Sequence, residues 1–312
     1  MKKQTWILLA VAVALALFLV FRDRLSFGGG LSWKAWKGAP ESLVLVKAGK
    51  TTEFAKADGR WVMGPNRYQA DPEKVKKLVE VLSTNRSFQL VTPYPFYEKY
   101  SLEPTNRVEA TLATGKDKRT LLIGKAAPTY SHTFVMIAGD SNIYQTEGYF
   151  SYDFTQDLEQ FRDKTMFAFT ADDAVALEVR DEAGRVLSLK KVAEAFTTNT
   201  NAAMGQPPRK VWKTAESGKD ANNTEAGDLV ANLARLTATA FAAESNATWA
   251  QAVKKPIAWQ GVAKTASKTY SLTILKEKIG ADYQAVVNDR NEVFLLNEDT
   301  AKRVMIALDK LK

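Results

Sequence analysis

Trp61 is followed seventeen residues later by Leu78, with Val79 and Leu82 completing an apolar stripe; Trp212 is followed seventeen residues later by Leu229, then Val230 and Leu233. The offset of 151 holds further on, where Leu121 and Ile123 match Leu272 and Ile274. The turn Asp140-Ser141-Asn142 matches Asp289-Arg290-Asn291, Ile143-Tyr144 matches Val293-Phe294, and Pro104 pairs with Pro256. Spacing shared across a helix, strands and a turn points to an internal duplication. The fold must therefore be one that the chain builds twice.

Each unit reads in the same order. In the first, SLVLVKA, TTEFAKA and RWVMG alternate as short strands, with turns at Gly49 and Asp58-Gly59. Asp71-Pro72 supplies an N-cap and a proline at the first helical position. Val75, Leu78, Val79 and Leu82 then fall on one helix face. Strands are expected at 108–113, 120–124, 133–138 and 142–146, and a closing helix near 150–161. The second unit repeats this with strands at 174–180 and 185–190, a polar insertion at 197–208, and a strand at 210–213. A helix capped by Asn223 or Thr224 follows, then four more strands and a last helix capped by Asn297. Tight hairpins with few helices between them predict an α+β fold: antiparallel sheets with helices packed on one face. The expected divisions are an anchor at 1–24, a linker at 25–41, and units at 42–169 and 170–312.

The anchor is the run Trp6–Phe21, WILLAVAVALALFLVF, sixteen residues without a charged or polar side chain. As a helix it spans roughly 24 Å, slightly less than a hydrocarbon core of about 30 Å. Trp6, Leu9, Leu15, Leu17, Phe18 and Phe21 supply its apolar bulk, and Lys3 and Arg22 can snorkel at its ends. The run is followed by Arg22-Asp23-Arg24 rather than a small-residue cleavage site, which favours an uncleaved transmembrane helix over a signal peptide. Basic residues nearly balance across it, and the default for such an anchor leaves the body outside the cytoplasm, in the bacterial periplasm. Gly28-Gly29-Gly30 makes a short flexible connector. Trp33 and Trp36 follow it, placed either at the membrane interface or against the body.

Net charge is +8, but Lys2, Lys3, Arg22 and Arg24 against Asp23 account for three of these, leaving the rest of the chain at only +5. That is a solvated surface, and no nucleic-acid motif accompanies it. The chain has no cysteine, which excludes disulfides, thiolate metal sites and thiol nucleophiles.

The order Trp61, Ala70-Asp71, Leu102-Glu103-Pro104, Ile123-Gly124 and Phe161–Lys164 resembles domain-of-unknown-function family 4340, from about Ser42 to the end and most strongly from Trp61 to Phe169. Members of that family tend to be membrane-anchored envelope proteins encoded beside ABC transporters of the gliding-motility type. The resemblance implies an accessory role with the permease and auxiliary membrane subunits of such a transporter, and supplies no catalytic residues. Asn222-Asn223 stands where the first unit has Asp71-Pro72.

The chain carries little that reads as chemistry. His132 is the only histidine, so neither a zinc site nor a Ser-His-Asp triad follows from it. No phosphate loop is present. Asp71 reads as a cap, Asp172-Asp173 as a strand lead-in, and Glu298-Asp299 as a first helical turn where negative charge suits the dipole. No cofactor or metal is expected. The aromatic stretch PYPFYEKY holds Tyr94, Phe96, Tyr97 and Tyr100 and is the expected partner-binding loop, since tyrosine is enriched at interface hot spots. The expectation is a non-enzymatic periplasmic accessory or scaffold subunit of an ABC transporter, touching the bilayer and no nucleic acid. The alternative is a periplasmic module holding a lipid or peptide in an apolar groove. A reporter active only in the cytoplasm, fused after Lys312, is expected to be silent; a signal would reverse the topology.

Overall fold

In a computed structural model the described residues are 31–194, 209–243 and 248–312. The anchor run, the glycine connector and the polar insertion at 197–208 lie outside them. Among the described residues no helix is long and apolar enough to cross a membrane. The chain divides between Asp163 and Lys164 into two compact units.

The first unit runs β1 (Leu31–Trp33), β2 (Ser42–Lys47), β3 (Lys50–Ala57), β4 (Arg60–Met63), β5 (Tyr68–Gln69), α1 (Pro72–Ser83), β6 (Arg86–Thr92), β7 (Val108–Thr114), β8 (Asp117–Ala126), β9 (His132–Ile137), β10 (Ile143–Glu147) and α2 (Ser151–Thr155). Its strands form one ten-stranded sheet in the order β1-β6-β10-β9-β8-β7-β2-β3-β4-β5. The second unit runs β11 (Ala174–Arg180), β12 (Val186–Glu194), β13 (Arg209–Thr214), α3 (Asn223–Ala234), β14 (Ala240–Phe241), α4 (Trp249–Ala252), β15 (Ile257–Thr265), β16 (Thr269–Ile279), β17 (Asp282–Val287), β18 (Phe294–Leu296) and α5 (Glu298–Val304). Its eight described strands are ordered β13-β12-β11-β15-β16-β17-β18-β14. From the opposite edge, this is the first unit's order from β6 to β4, strand for strand.

The α+β expectation is corrected by this architecture. The described residues are mostly antiparallel sheet, in two large sheets, and among them only α1 and α3 reach twelve residues. Three sequence signals misled. β6, RSFQLVT, lies outside the strands expected from sequence, but it pairs with both β1 and β10 and extends the sheet. The stretch expected as a helix over 150–161 keeps only the five residues of α2, because Gln156 turns extended and a 3-10 turn at Leu158–Phe161 follows. Phe150, Phe154 and Phe161 are all buried there, so apolar spacing imitated a helix face that the backbone does not form. Finally, each sheet is covered on both sides: a twelve-residue helix lies on one, and the other is covered in the first unit by irregular chain and in the second by a segment carrying the four-residue α4.

On the helical side of the first unit, Val75, Leu78 and Leu82 of α1 pack on Leu43, Leu45, Phe54, Leu112, Leu121 and Ile123. In the second, Ala226, Leu229, Val230 and Leu233 of α3 occupy the same place over Leu177, Leu272 and Ile274. Asp71 caps α1 through the amides of Glu73 and Lys74, 3.0 and 3.1 Å away. The cap of α3 is Asn222, accepting from the Glu225 amide, while Asn223 turns back to the main chain of Trp212 and Ala221.

The opposite side of each sheet is covered by the segment between its sixth-strand equivalent and the next strand, residues 93–107 in one unit and, of the described residues, 242–243 and 248–256 in the other. The first seals Tyr100 and Leu102 onto Leu122, Phe134, Met136 and Ile143. The second brings α4 against Leu275, Val286 and Leu295. Gly124 makes the first crossing possible: a Cβ there would lie 2.3 Å from the Tyr100 carbonyl oxygen and 2.9 Å from Leu102 Cγ. Gly124→Ala is expected to destabilise the unit by roughly 2 kcal/mol or more, because the clash is with main chain. Gly227→Ala, inside α3 with open space around it, is expected to stabilise by about 0.5–1 kcal/mol. Denaturant midpoints of the two variants, moving in opposite directions, check both.

Candidate functional site

The covering segment of the first unit is the expected partner loop, and its geometry sorts the four aromatics. Tyr100 is buried, edge-on to Phe134 at 4.7 Å between ring centroids. Tyr97 is half-buried, and its hydroxyl donates to the Ser141 carbonyl at 3.3 Å. On the helical side of the sheet, Tyr144 OH donates to Asp140 at 2.6 Å and fixes the β9–β10 turn. Burial, reinforced by that carboxylate, raises the Tyr144 phenol above its ordinary pKa. Tyr94 and Phe96 point outward, 64% and 59% exposed, with ring centroids 6.0 Å apart. The loop is therefore half cover and half display, and Tyr100 is not available to a partner.

The display is rigid. Pro93 and Pro95 restrict the backbone. The Tyr94 amide donates to Thr92 Oγ1 at 3.1 Å, Phe96 N–H to the Tyr94 carbonyl at 2.8 Å, and Lys99 N–H to the Phe96 carbonyl at 3.1 Å. Ser101 adopts a left-handed conformation at the end of the turn, and Leu102 N–H returns to the Tyr97 carbonyl at 2.9 Å.

Trp33 and Trp36 are half-buried against the helical-side core. Trp33 packs edge-on to Phe88 at 5.1 Å, and Trp36 Nε1 donates to Thr114 at 3.1 Å. The Arg119 guanidinium lies over both indoles and donates to the Leu82 and Lys34 carbonyls, each at 2.9 Å. Burial lowers its pKa. These tryptophans fasten β1 and the following segment to the first unit.

Sequence reasoning missed a second aromatic surface. Tyr130, Tyr149 and Tyr152 are each at least half exposed, and the first two meet edge-to-face at 5.6 Å. They sit at the opposite end of the β9–β10 hairpin from Tyr94 and Phe96. Tyr130 holds a positive φ of 53°, a conformation uncommon for an aromatic residue. Spacings of nineteen and three residues carry no periodic signal, so only the hairpin closure could bring these tyrosines together.

The remaining polar candidates settle locally. His132 Nδ1 lies 2.9 Å from Ser131 Oγ. Glu298 is held below the usual carboxylate range by its hydrogen bond to Lys302. Among the described residues no cluster of three or more His, Asp or Glu side chains is placed to hold a metal. An open cleft of about 310 Å³ in the second unit is lined by Val186, Leu187, Glu216, Lys219, Asp220 and Lys312 among others, so its walls mix apolar and charged groups.

The scattered motif residues meet at two knots. In one, Leu102 of the Leu-Glu-Pro step lies over Gly124 of the Ile-Gly strand. In the other, Ala70 N–H donates to the Trp61 carbonyl at 2.9 Å, Asp71 N–H to the Phe161 carbonyl at 2.7 Å, and Ala70 bridges to Arg162. Fold and site together define a two-unit antiparallel β protein with aromatic surfaces displayed on rigid turns. The chain matches the family model for a domain of unknown function, DUF4340, over residues 61–256, and it belongs to that family. No curated protein and no solved structure matches it.

Tyr100→Ala is expected to cost about 3–5 kcal/mol, the usual penalty for emptying a buried aromatic site. Phe96→Ala is expected to stay within about 0.5 kcal/mol of the parent, as an exposed substitution should. Thermal or urea unfolding of the two variants separates cover from display.

Proposed function

We propose that the protein is a non-enzymatic accessory subunit of an ABC transporter complex, anchored in the bacterial inner membrane by Trp6–Phe21 with its two units in the periplasm. The apolar run and the setting implied by the family resemblance support the location. The observation that carries the partner role is the cluster Tyr130, Tyr149 and Tyr152, displayed on a fixed hairpin end. Tyrosines give large contact area at low entropic cost, and such residues dominate interface energies. Arg86 reinforces the same end. Its guanidinium lies 4.9 Å from the Phe150 ring and donates to the carbonyls of Val81 and Glu147 at 3.1 and 2.6 Å, so the surface cannot easily collapse inward.

Purification of the full-length chain in mild detergent is expected to bring down permease and ATPase chains. Replacing Tyr130, Tyr149 and Tyr152 together by Ser is expected to weaken that association by roughly 2 kcal/mol or more while leaving the melting temperature nearly unchanged. Recovery without transporter chains, or an undiminished complex with the triple variant, overturns the reading.

A further inference from the structure

The partner surface lies at one end of the β9–β10 hairpin; the other end carries Tyr94 and Phe96, which that role leaves unused. The direction of the chain gives them a position. β1 is antiparallel to β6, with Leu31 opposite Phe88 and Trp33 opposite Arg86. The N-terminal end of β1 therefore points the way β6 runs, toward Thr92 and the Tyr94–Phe96 tip. Thr92 lies four residues beyond Phe88, roughly 13 Å further along the strand. Only Arg22–Gly30 separate Leu31 from the end of the apolar run, and nine residues span at most about 32 Å. The intervening sequence is short, β1 has its N-terminal end on the side of the tip, and the tip lies further along that direction than Leu31.

We propose that the Tyr94–Phe96 tip is a membrane-contact element that inserts its two rings into the bilayer interface. The proposal rests on the anchored reading above and adds the orientation of the first unit to it. Phenol and phenyl rings suit this zone, apolar in body and, for tyrosine, polar at the tip. The prolines and the three local hydrogen bonds hold the rings displayed before contact, so little freedom is lost on insertion. The charges that follow the tip in sequence, Glu98 and Lys99, and Asp140 in the β9–β10 turn, carry no basic excess among themselves. The contact is therefore with the acyl–headgroup boundary rather than with anionic headgroups, and zwitterionic lipid suffices. The tyrosine surface at the far hairpin end is left facing away from the bilayer.

Because the chain has no cysteine, single Phe96→Cys and Tyr130→Cys variants of the full-length protein each take one nitroxide spin label. Both are reconstituted into phosphatidylcholine vesicles, and collision of the label with oxygen and with a water-soluble nickel chelate is measured. The expected result is a label at 96 relaxed mainly by oxygen and a label at 130 relaxed mainly by nickel. A label at 96 as open to nickel as that at 130, in protein that still floats with the vesicles, overturns the tip contact and leaves the tether standing. A label at 96 shielded from both reagents overturns it in favour of a protein contact. Protein that fails to float removes the tether and the tip contact together.

Discussion

The closure of each unit depends on a pair of main-chain hydrogen bonds at the start of its long helix. In the first, the residue before the cap reaches the Trp61 carbonyl and the cap's own amide reaches the carbonyl of Phe161. In the second, Ala221 N–H reaches the Trp212 carbonyl at 3.0 Å and Asn222 N–H the Leu311 carbonyl at 3.1 Å. The helix is thereby fixed between a strand at or next to the sheet edge, β4 in the first unit and β13 in the second, and the last residues of its own unit. Phe161 and Leu311 are both fully buried, so the closing bond is shielded from water. A shielded main-chain pair is costly to leave unmade, which makes the end of each unit a structural part of its beginning.

With the helix fixed, one sheet face is determined, and the opposite face becomes the variable one. Each unit covers it with a segment of irregular chain between the same two strands. The first brings main chain down on Gly124; the second, with Leu275 at the corresponding position, brings the short helix α4 instead. A covering segment sealed by buried residues in its middle must turn outward before it, and in the first unit that outward part is Tyr94 and Phe96. Its display and its packing are thus two consequences of one backbone path.

The candidate site was half legible. PYPFYEKY stood out by composition as an aromatic loop. Which rings face out was not legible, because Tyr100 and Phe96 differ only in what lies beneath them, and Phe134 and Gly124 are distant in sequence. Tyr130, Tyr149 and Tyr152 were invisible for the same reason. Hairpin closure makes them neighbours, and no local period anticipates it.

The sequence by itself determined the local and repeated elements: the caps at Asp71 and Asn297, the apolar stripes of α1 and α3, the hairpin turns, and the match of Trp61 with Trp212. These follow from spacing of 3.6 or 2 residues and from turn chemistry, which act within a few residues. Only the tertiary structure decided that sheet would predominate over helix, that β6 belongs inside the sheet, and that each sheet is covered on both faces. Those outcomes rest on hydrogen bonds and side-chain contacts between residues tens of positions apart, whose partners are chosen by how the whole unit closes.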